Sequence, residues 1–288
     1  MISQPPASGK TALPLTILII TKNEAENIGP CLKAIGDFAP VIVIDSHSED
    51  NTAEIAQNHG ARLVSYQWNG QYPKKRQWAL DHLDLPHGWV LFIDADERLT
   101  QKCKTEIIRL FQKGPDKDGY YIKALYKIRD KVCHHGFKNN KLVLFKKNTI
   151  CFPVIDDLTC PGMGEIEGHY QPAAPDVLHN ITTGQIRSPI IHLALRDEDK
   201  WRRRHADYAR WAACMTRRKA WPPEKRPFIH FSKNLAKNYP KISPFLAFAH
   251  SFVLKSGWLD GKAGWKLACS RFIYYQMIAK ELANKNTS

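Results

Sequence analysis

The chain has 288 residues, of which 43% are hydrophobic, 24% charged and 10% aromatic, a composition that suits one large domain or a domain with a smaller attachment. Sixteen Gly and eighteen Pro without any period exclude a collagen-like or disordered chain. Charge is uneven: residues 200–288 hold 19 basic and 4 acidic side chains, whereas residues 1–199 hold 23 and 24, so a neutral body carries a basic tail suited to an anionic membrane or nucleic acid.

Cysteines 31, 103, 133, 151, 160, 214 and 269 are odd in number and form no Cys-x-x-Cys pair. Reduced cytosolic thiols are therefore expected. Cys133, His134 and His135 with Cys151 and Cys160 match no common zinc spacing. Residues 1–13 read as a flexible N-terminus, and no signal peptide is expected, because Met1 to Lys10 lacks an apolar stretch. No apolar run reaches the roughly 18 residues of a membrane span. The expected location is the cytoplasm, peripheral on the cytosolic face of the inner membrane.

From residue 14, four short runs rich in β-branched residues predict strands: Leu15 to Ile20, Val41 to Asp45, Ala61 to Tyr66 and Trp89 to Asp94. Between the first two, Glu24 to Ile35 places Ile28, Leu32 and Ile35 on one helical face. Between the second and third, Ser48 or Asp50 can cap a helix with Ile55 and Ala56 that stops at Gly60. This alternation predicts an α/β fold with a Rossmann-like, doubly wound and mostly parallel sheet.

Ligands of such sheets sit at the carboxyl ends of the strands. Here those ends read Thr21-Lys22-Asn23-Glu24, Asp45 to Asp50, and Asp94-Ala95-Asp96-Glu97-Arg98. Neither a Gly-x-Gly-x-x-Gly fingerprint nor a P-loop is present. Two carboxylates one residue apart after a buried strand can offer hard oxygens to Mg²⁺ or Mn²⁺ and leave positions open for a diphosphate.

Four blocks, Ile19 to Glu24, Val43 to Thr52, Lys74 to Leu80 and Leu91 to Arg98, stand in the order and spacing that resemble glycosyltransferase family 2, with its GT-A fold. The resemblance is strongest to bacterial members that build lipopolysaccharide core and other surface glycans. It resumes at Gly162 to Pro172 and at Gly257 to Gly264, and it departs from the family at His47 and Asn51, where relatives carry Gly. It implies that residues 14–199 are the catalytic domain, with a nucleotide-sugar half at 14–100 and an acceptor half at 101–199. Residues 200–288 follow as a basic helical extension. By the same resemblance Thr21, Asn23 and Glu24 line the nucleotide site, Asp45 meets base or ribose and Arg76 approaches the diphosphate. Asp94 contacts ribose or metal, and Asp96 is the main metal ligand. Plainer readings stand beside these: Asn23 and Glu24 as a helix cap, Asp45 as an Asx-turn, and Lys74, Lys75 and Arg76 as a solvated helix face.

An inverting displacement needs a base for the acceptor hydroxyl. Glu165-Ile166-Glu167, between flexible glycines, would present both carboxylates on one face of a strand, where mutual repulsion raises one pKa. Glu165 is the first choice and Glu167 the reserve, with an edge hairpin bearing solvated acids as the plain alternative and Asp156-Asp157 a weaker competitor. His179 has no assignable role, and His192 ends an apolar run within reach of a diphosphate.

In the tail, Trp201, Tyr208, Trp211, Ala212 and Met215 fall on one helical stripe, with Arg202, Arg203, Arg204, Arg210, Arg217 and Arg218 around it. After Pro222-Pro223, Ile242 to Leu254 and Trp265 to Ile278 are further apolar stretches. These helices either rest in a lipid headgroup region or pack as core. The expected function is thus metal-dependent transfer from a nucleotide-diphosphate sugar to a glycan or glycolipid acceptor at an anionic membrane surface, without nucleic acid. The alternatives are a nucleotidyltransferase on a similar sheet and a nucleic-acid-binding protein using the tail's Arg and Trp.

Overall fold

The computed structural model describes residues 13–167, 170–175, 180–193, 195–221 and 239–284. Residues 1–12 of the expected flexible terminus, His169, His179 and Pro222-Pro223 lie outside the described residues.

Strands β1 (Leu15–Thr21), β2 (Val41–Asp45), β3 (Arg62–Ser65) and β4 (Trp89–Asp94) pair in parallel in the order β3-β2-β1-β4. Strands with neighbours on both edges and helices on both faces are apolar over most of their length. Leu15, Ile17, Leu18 and Ile19 of β1 accordingly have no exposed surface. Helix α1 (Ala25–Ile35) buries Ile28, Cys31, Leu32 and Ile35 as its periodicity predicts. Asp50 starts α2 (Thr52–Asn58), accepting from the amide of Thr52 at 3.0 Å, while Ser48 turns elsewhere. Helices α3 (Lys75–His82) and α4 (Gln101–Lys113) follow, the latter capped by Thr100, whose hydroxyl accepts from the Cys103 amide.

Beyond β4 the sheet becomes mixed. The short β5 (Glu97–Arg98), β6 (Gly119–Ile128), β7 (Lys131–Val132), β8 (Asn139–Lys146) and β9 (Thr183–His192) extend it in the order β4-β8-β6-β9-β5, with β7 beside β6. β8 runs antiparallel to both β4 and β6, and β9 runs parallel to β6. The register places Glu97 opposite His192.

The helical C-terminal region comprises α5 (Glu198–Arg218), α6 (Ser243–Ala249) with a π-helical turn at His250–Leu254, and α7 (Lys262–Ala283). The expected boundary between residues 199 and 200 falls inside α5. The stripe on α5 faces protein: Trp201, Trp211, Ala212 and Met215 are all buried. This corrects the headgroup reading for α5, and it removes Trp201 and Trp211 as stacking platforms for nucleic acid. α5 packs against α7.

The segment after β8 is pinned to α5. Gly162, at φ +105, packs so closely that a Cβ would lie 2.1 Å from the Asp207 carbonyl oxygen. Cys160 and Cys214 form a disulfide beside Met163, Tyr170 and Trp211. This corrects the expectation of uniformly reduced thiols: the partners are 54 residues apart, a separation that carries no spacing signature. Closing a loop of that size should contribute about 2–4 kcal/mol. Cys160→Ser is expected to lose that stability in urea unfolding without reductant, and with excess reductant the variant and wild type should unfold alike.

Candidate active site

The carboxyl ends of β1, β2 and β4 meet at one edge. Thr21 Oγ1 donates to Asp45 Oδ1 at 2.8 Å, and Asp45 also accepts from the amide and hydroxyl of Ser48 at 2.8 and 2.6 Å. Asn23, at φ 55, accepts from the Glu49 amide at 2.9 Å, and His47 takes φ 50 in the same loop pair. That left-handed backbone suits glycine best, although Asn23 and His47 adopt it here.

A cavity of about 620 Å³ opens here, walled by Thr21, Glu24, Arg76, Asp94, Asp96, Glu165 and Glu167 among others. Seven of the nine residues singled out from the sequence therefore meet in one place. Asn23 and Asp45 stand outside the lining and knit the β1 and β2 loops together. Glu24 accepts from Asn27 at 2.7 Å and lies 3.5 Å from Lys200; burial raises its pKa.

The acid pair after β4 is held by cations from four distant segments. Asp94 meets Arg76 Nη2 at 3.2 Å and Lys141 Nζ at 2.8 Å. Burial opposes its charge, but Lys141 and then Arg76 hold its pKa far below the usual carboxylate range. Lys141 also reaches Glu97 at 2.6 Å, and the other Glu97 oxygen accepts from the Asp94 amide. Asp96 Oδ2 lies 3.3 Å from His192 Nε2 and 3.6 Å from Arg204 Nη1. Against the cost of burial, His192 and Arg204 bring Asp96 down to about 2, and Asp96 in turn raises His192.

Among the described residues no three His, Cys, Asp or Glu side chains converge as a ready ligand set. The donor chemistry nonetheless fits a divalent cation: a carboxylate and an imidazole face each other at Asp96 and His192, a combination suited to Mn²⁺ and tolerable for Mg²⁺. Asp94 is turned toward Arg76 and Lys141. His192 Nδ1 and Arg204 Nε are buried in the cavity wall without a hydrogen-bond partner among the described residues, leaving polar capacity for an anionic ligand.

The basic run at the start of α3 is not a solvated face. Lys74 and Lys75 are each 1% exposed. Lys74 pairs with Asp157 at 2.8 Å, and Tyr72 and Trp211 also donate to that carboxylate. Asp157 is thereby committed to joining the loop, α3 and α5, whereas its neighbour Asp156 lies at the surface near Arg218. Lys75 donates to the Thr21 carbonyl at 2.6 Å and Ser46 Oγ at 2.5 Å, and lies 3.5 Å from Glu165.

Glu165 and Glu167 do not share a strand face; residues 164–166 form a turn, closed by the Ile166 amide on the Met163 carbonyl. The two carboxylates consequently diverge. Glu165 accepts from Ser46 Oγ at 2.5 Å on the cavity wall. Glu167 caps α3, its oxygens accepting from the amides of Arg76 and Gln77 at 3.1 and 2.9 Å, where the helix dipole favours an anion. The pKa of Glu167 is raised by burial, not by repulsion from Glu165.

Lys75, Lys141, Lys200 and Arg204 were absent from the sequence-derived site, and His192 had only a conditional place in it. Lys141 lies mid-strand in β8, and Arg204 is one of several Arg in α5. No local pattern marks either. The place of His192 follows from its register opposite Glu97, which requires knowing that β9 lies beside β5.

Residues 16–154 match the model of the family described as glycosyl transferase family 2. This stretch, just under half of the chain, is thus similar to the family 2 glycosyltransferases. An uncharacterized glycosyltransferase of Rickettsia bellii is 34% identical over 123 residues, 42% of this chain and 40% of that protein. The lipopolysaccharide core biosynthesis glycosyltransferase LpsC of Rhizobium meliloti is 30% identical over 115 residues, 38% of this chain and 42% of that protein. The chain thus spans about two-fifths of the length of these curated relatives. Among solved structures, the mannosyltransferase PcManGT of Pyrobaculum calidifontis, in complex with GDP-Man and Mn²⁺, aligns with 96% of this chain and 88% of its own at a TM-score of 0.50 and 16% identity. That likeness shows the GT-A-like fold.

Burial pushes Lys75 down to about 8, with Glu165 and Asp45 opposing. The unfolded value is about 10.4, so between these pH values the unfolded chain binds more protons and stability rises with pH. Relative to Lys75→Met, the wild type should gain up to about 3 kcal/mol between about pH 7 and about pH 10. Urea unfolding of both proteins at the two pH values measures this.

Proposed function

We propose that this protein is an inverting glycosyltransferase that moves a sugar from a nucleotide-diphosphate donor to a glycan acceptor carried on a lipid. The observation that carries this reading is the meeting, in one cavity, of Asp96 with His192, of the cations Arg76, Lys141 and Arg204, and of Glu165. The family 2 match, the LpsC relative of lipopolysaccharide core synthesis and the GDP-Man and Mn²⁺ complex of the solved neighbour support it.

In this mechanism a carboxylate oxygen of Glu165 takes the proton of the acceptor hydroxyl as that oxygen bonds to the anomeric carbon. The bond from that carbon to the diphosphate oxygen breaks, and its electron pair leaves with the nucleoside diphosphate. Ser46 and Lys75 orient Glu165. Arg76, Lys141 and Arg204 meet the charge that develops on the departing diphosphate. Asp96 and His192 would hold Mn²⁺ or Mg²⁺, whose chemistry there is neutralisation of diphosphate charge. Thr21 and Glu24 border the nucleotide, while Asn23 and Asp45 shape its loops.

Thermal-shift screening of UDP, GDP, ADP and CMP sugars with Mn²⁺ should find a stabilising donor, and Asp96→Asn should lose both that shift and transfer. Full turnover by Asp96→Asn rejects the assignment. Glu165→Gln is expected to lower kcat by about 10²–10⁴-fold while the donor KM stays within about threefold. Glu167→Gln should instead lower stability, by about 1 kcal/mol. The opposite pattern of kcat losses transfers the base role to Glu167.

A further inference from the structure

Ten large apolar side chains are well exposed among the described residues, and nine of them fall between Tyr239 and Trp265. Phe245, Val253, Leu254, Trp258, Leu259 and Trp265 are each at least half exposed. Concentration in one short stretch marks an interaction surface, since scattered exposed apolar residues are ordinary and contiguous ones are not. The surface is built rigidly. Phe248 and Phe252 pack on the inner side of Trp265 at 5.1 and 5.3 Å between ring centroids, and Phe245 packs on Phe272 at 5.2 Å. Asp260, buried, accepts from the His135 amide at 2.7 Å, and Lys131 reaches the Asp260 carbonyl. A Cβ on Gly264 would stand 1.8 Å from the Gly257 carbonyl oxygen, so this turn closes against the start of α7.

Charge identifies the occupant. Between residues 239 and 280 Asp260 is the one acidic residue, and it is buried, while Lys241, Lys255 and Lys262 are exposed beside the apolar groups. A second copy placed face to face would oppose lysine to lysine. An anionic bilayer supplies the opposite charge, and tryptophans beside lysines suit its headgroup region. No described helix is long and apolar enough to cross it.

The geometry points to this α6–α7 face as a docking surface for anionic lipid, entered by Val253, Leu254, Trp258 and Leu259 and ringed by lysines. The orientation has a corollary that rests on the proposed glycosyl transfer. α7 continues from Trp265 to Arg271 and Tyr274, which line the cavity. The rise along a helix puts these about 9–14 Å further on, so docking presents the cavity to an acceptor held in the membrane.

The test is sedimentation of the full chain with phosphatidylglycerol-containing vesicles and with neutral phosphatidylcholine vesicles. Wild type should bind the anionic vesicles at least about tenfold more tightly, with binding weakened by salt. Val253→Asp with Leu254→Asp should reduce binding by about tenfold or more, with donor hydrolysis in solution unchanged. Bromolipid should quench wild-type tryptophan fluorescence, and Trp258→Phe with Trp265→Phe should abolish that quenching, a readout independent of the aspartate variant's folding. Absence of wild-type binding, unaltered binding by the aspartate variant, quenching that persists in the Phe variant, or a dimer that the aspartate variant dissolves in place of vesicle binding would overturn the proposal. Failure of the proposed transfer would appear as lost donor turnover with vesicle binding intact.

Discussion

The site is organised by a charge constraint at the end of β4. Asp94, Asp96 and Glu97 stand within four residues, from the last residue of β4 to the first of β5, in surroundings where unpaired carboxylates are costly. Each is compensated by a cation from elsewhere: Arg76 from α3, Lys141 from β8, His192 from β9 and Arg204 from α5. The second half of the sheet and the first C-terminal helix are thereby drawn to the end of the first half. The diphosphate of the proposed donor would compete with these carboxylates for the same cations.

The first half of this arrangement was legible in the sequence for a simple reason. Apolar runs buried on both faces have few other interpretations, and β1, β2 and β4 begin and end within a residue of their predicted limits. The acid pair could be read because it follows such a run directly. Its partners could not be read, because what makes Lys141 or Arg204 part of the site is strand order and helix docking. Glu165 and Glu167 show the same limit from the other side: alternation predicts a shared face only within a strand, and a turn sends Glu165 to Ser46 and Glu167 to the amides at the start of α3, both still on the cavity wall.

The C-terminal region was harder still. An aromatic stripe edged with arginine has the same pattern whether it meets lipid or protein, and α5 meets protein, with Arg204 turned inward to Asp96. Among the described residues, the large apolar side chains left exposed fall, Val154 apart, between Tyr239 and Trp265, on and around α6, its π-helical turn, the Gly257–Asp260 turn and the start of α7. The pairing of Cys160 with Cys214 likewise depends on how the loop after β8 lies across α5, which no count of cysteines expresses.

That sulfur bridge also changes the topology of the polypeptide. Residues 160 to 214 become a closed covalent circuit that carries Glu165, His192 and Arg204 together. A single proteolytic nick inside the circuit would convert the chain into a branched molecule and release no fragment, so the proposed base and both partners of Asp96 would remain on one covalent body after backbone cleavage.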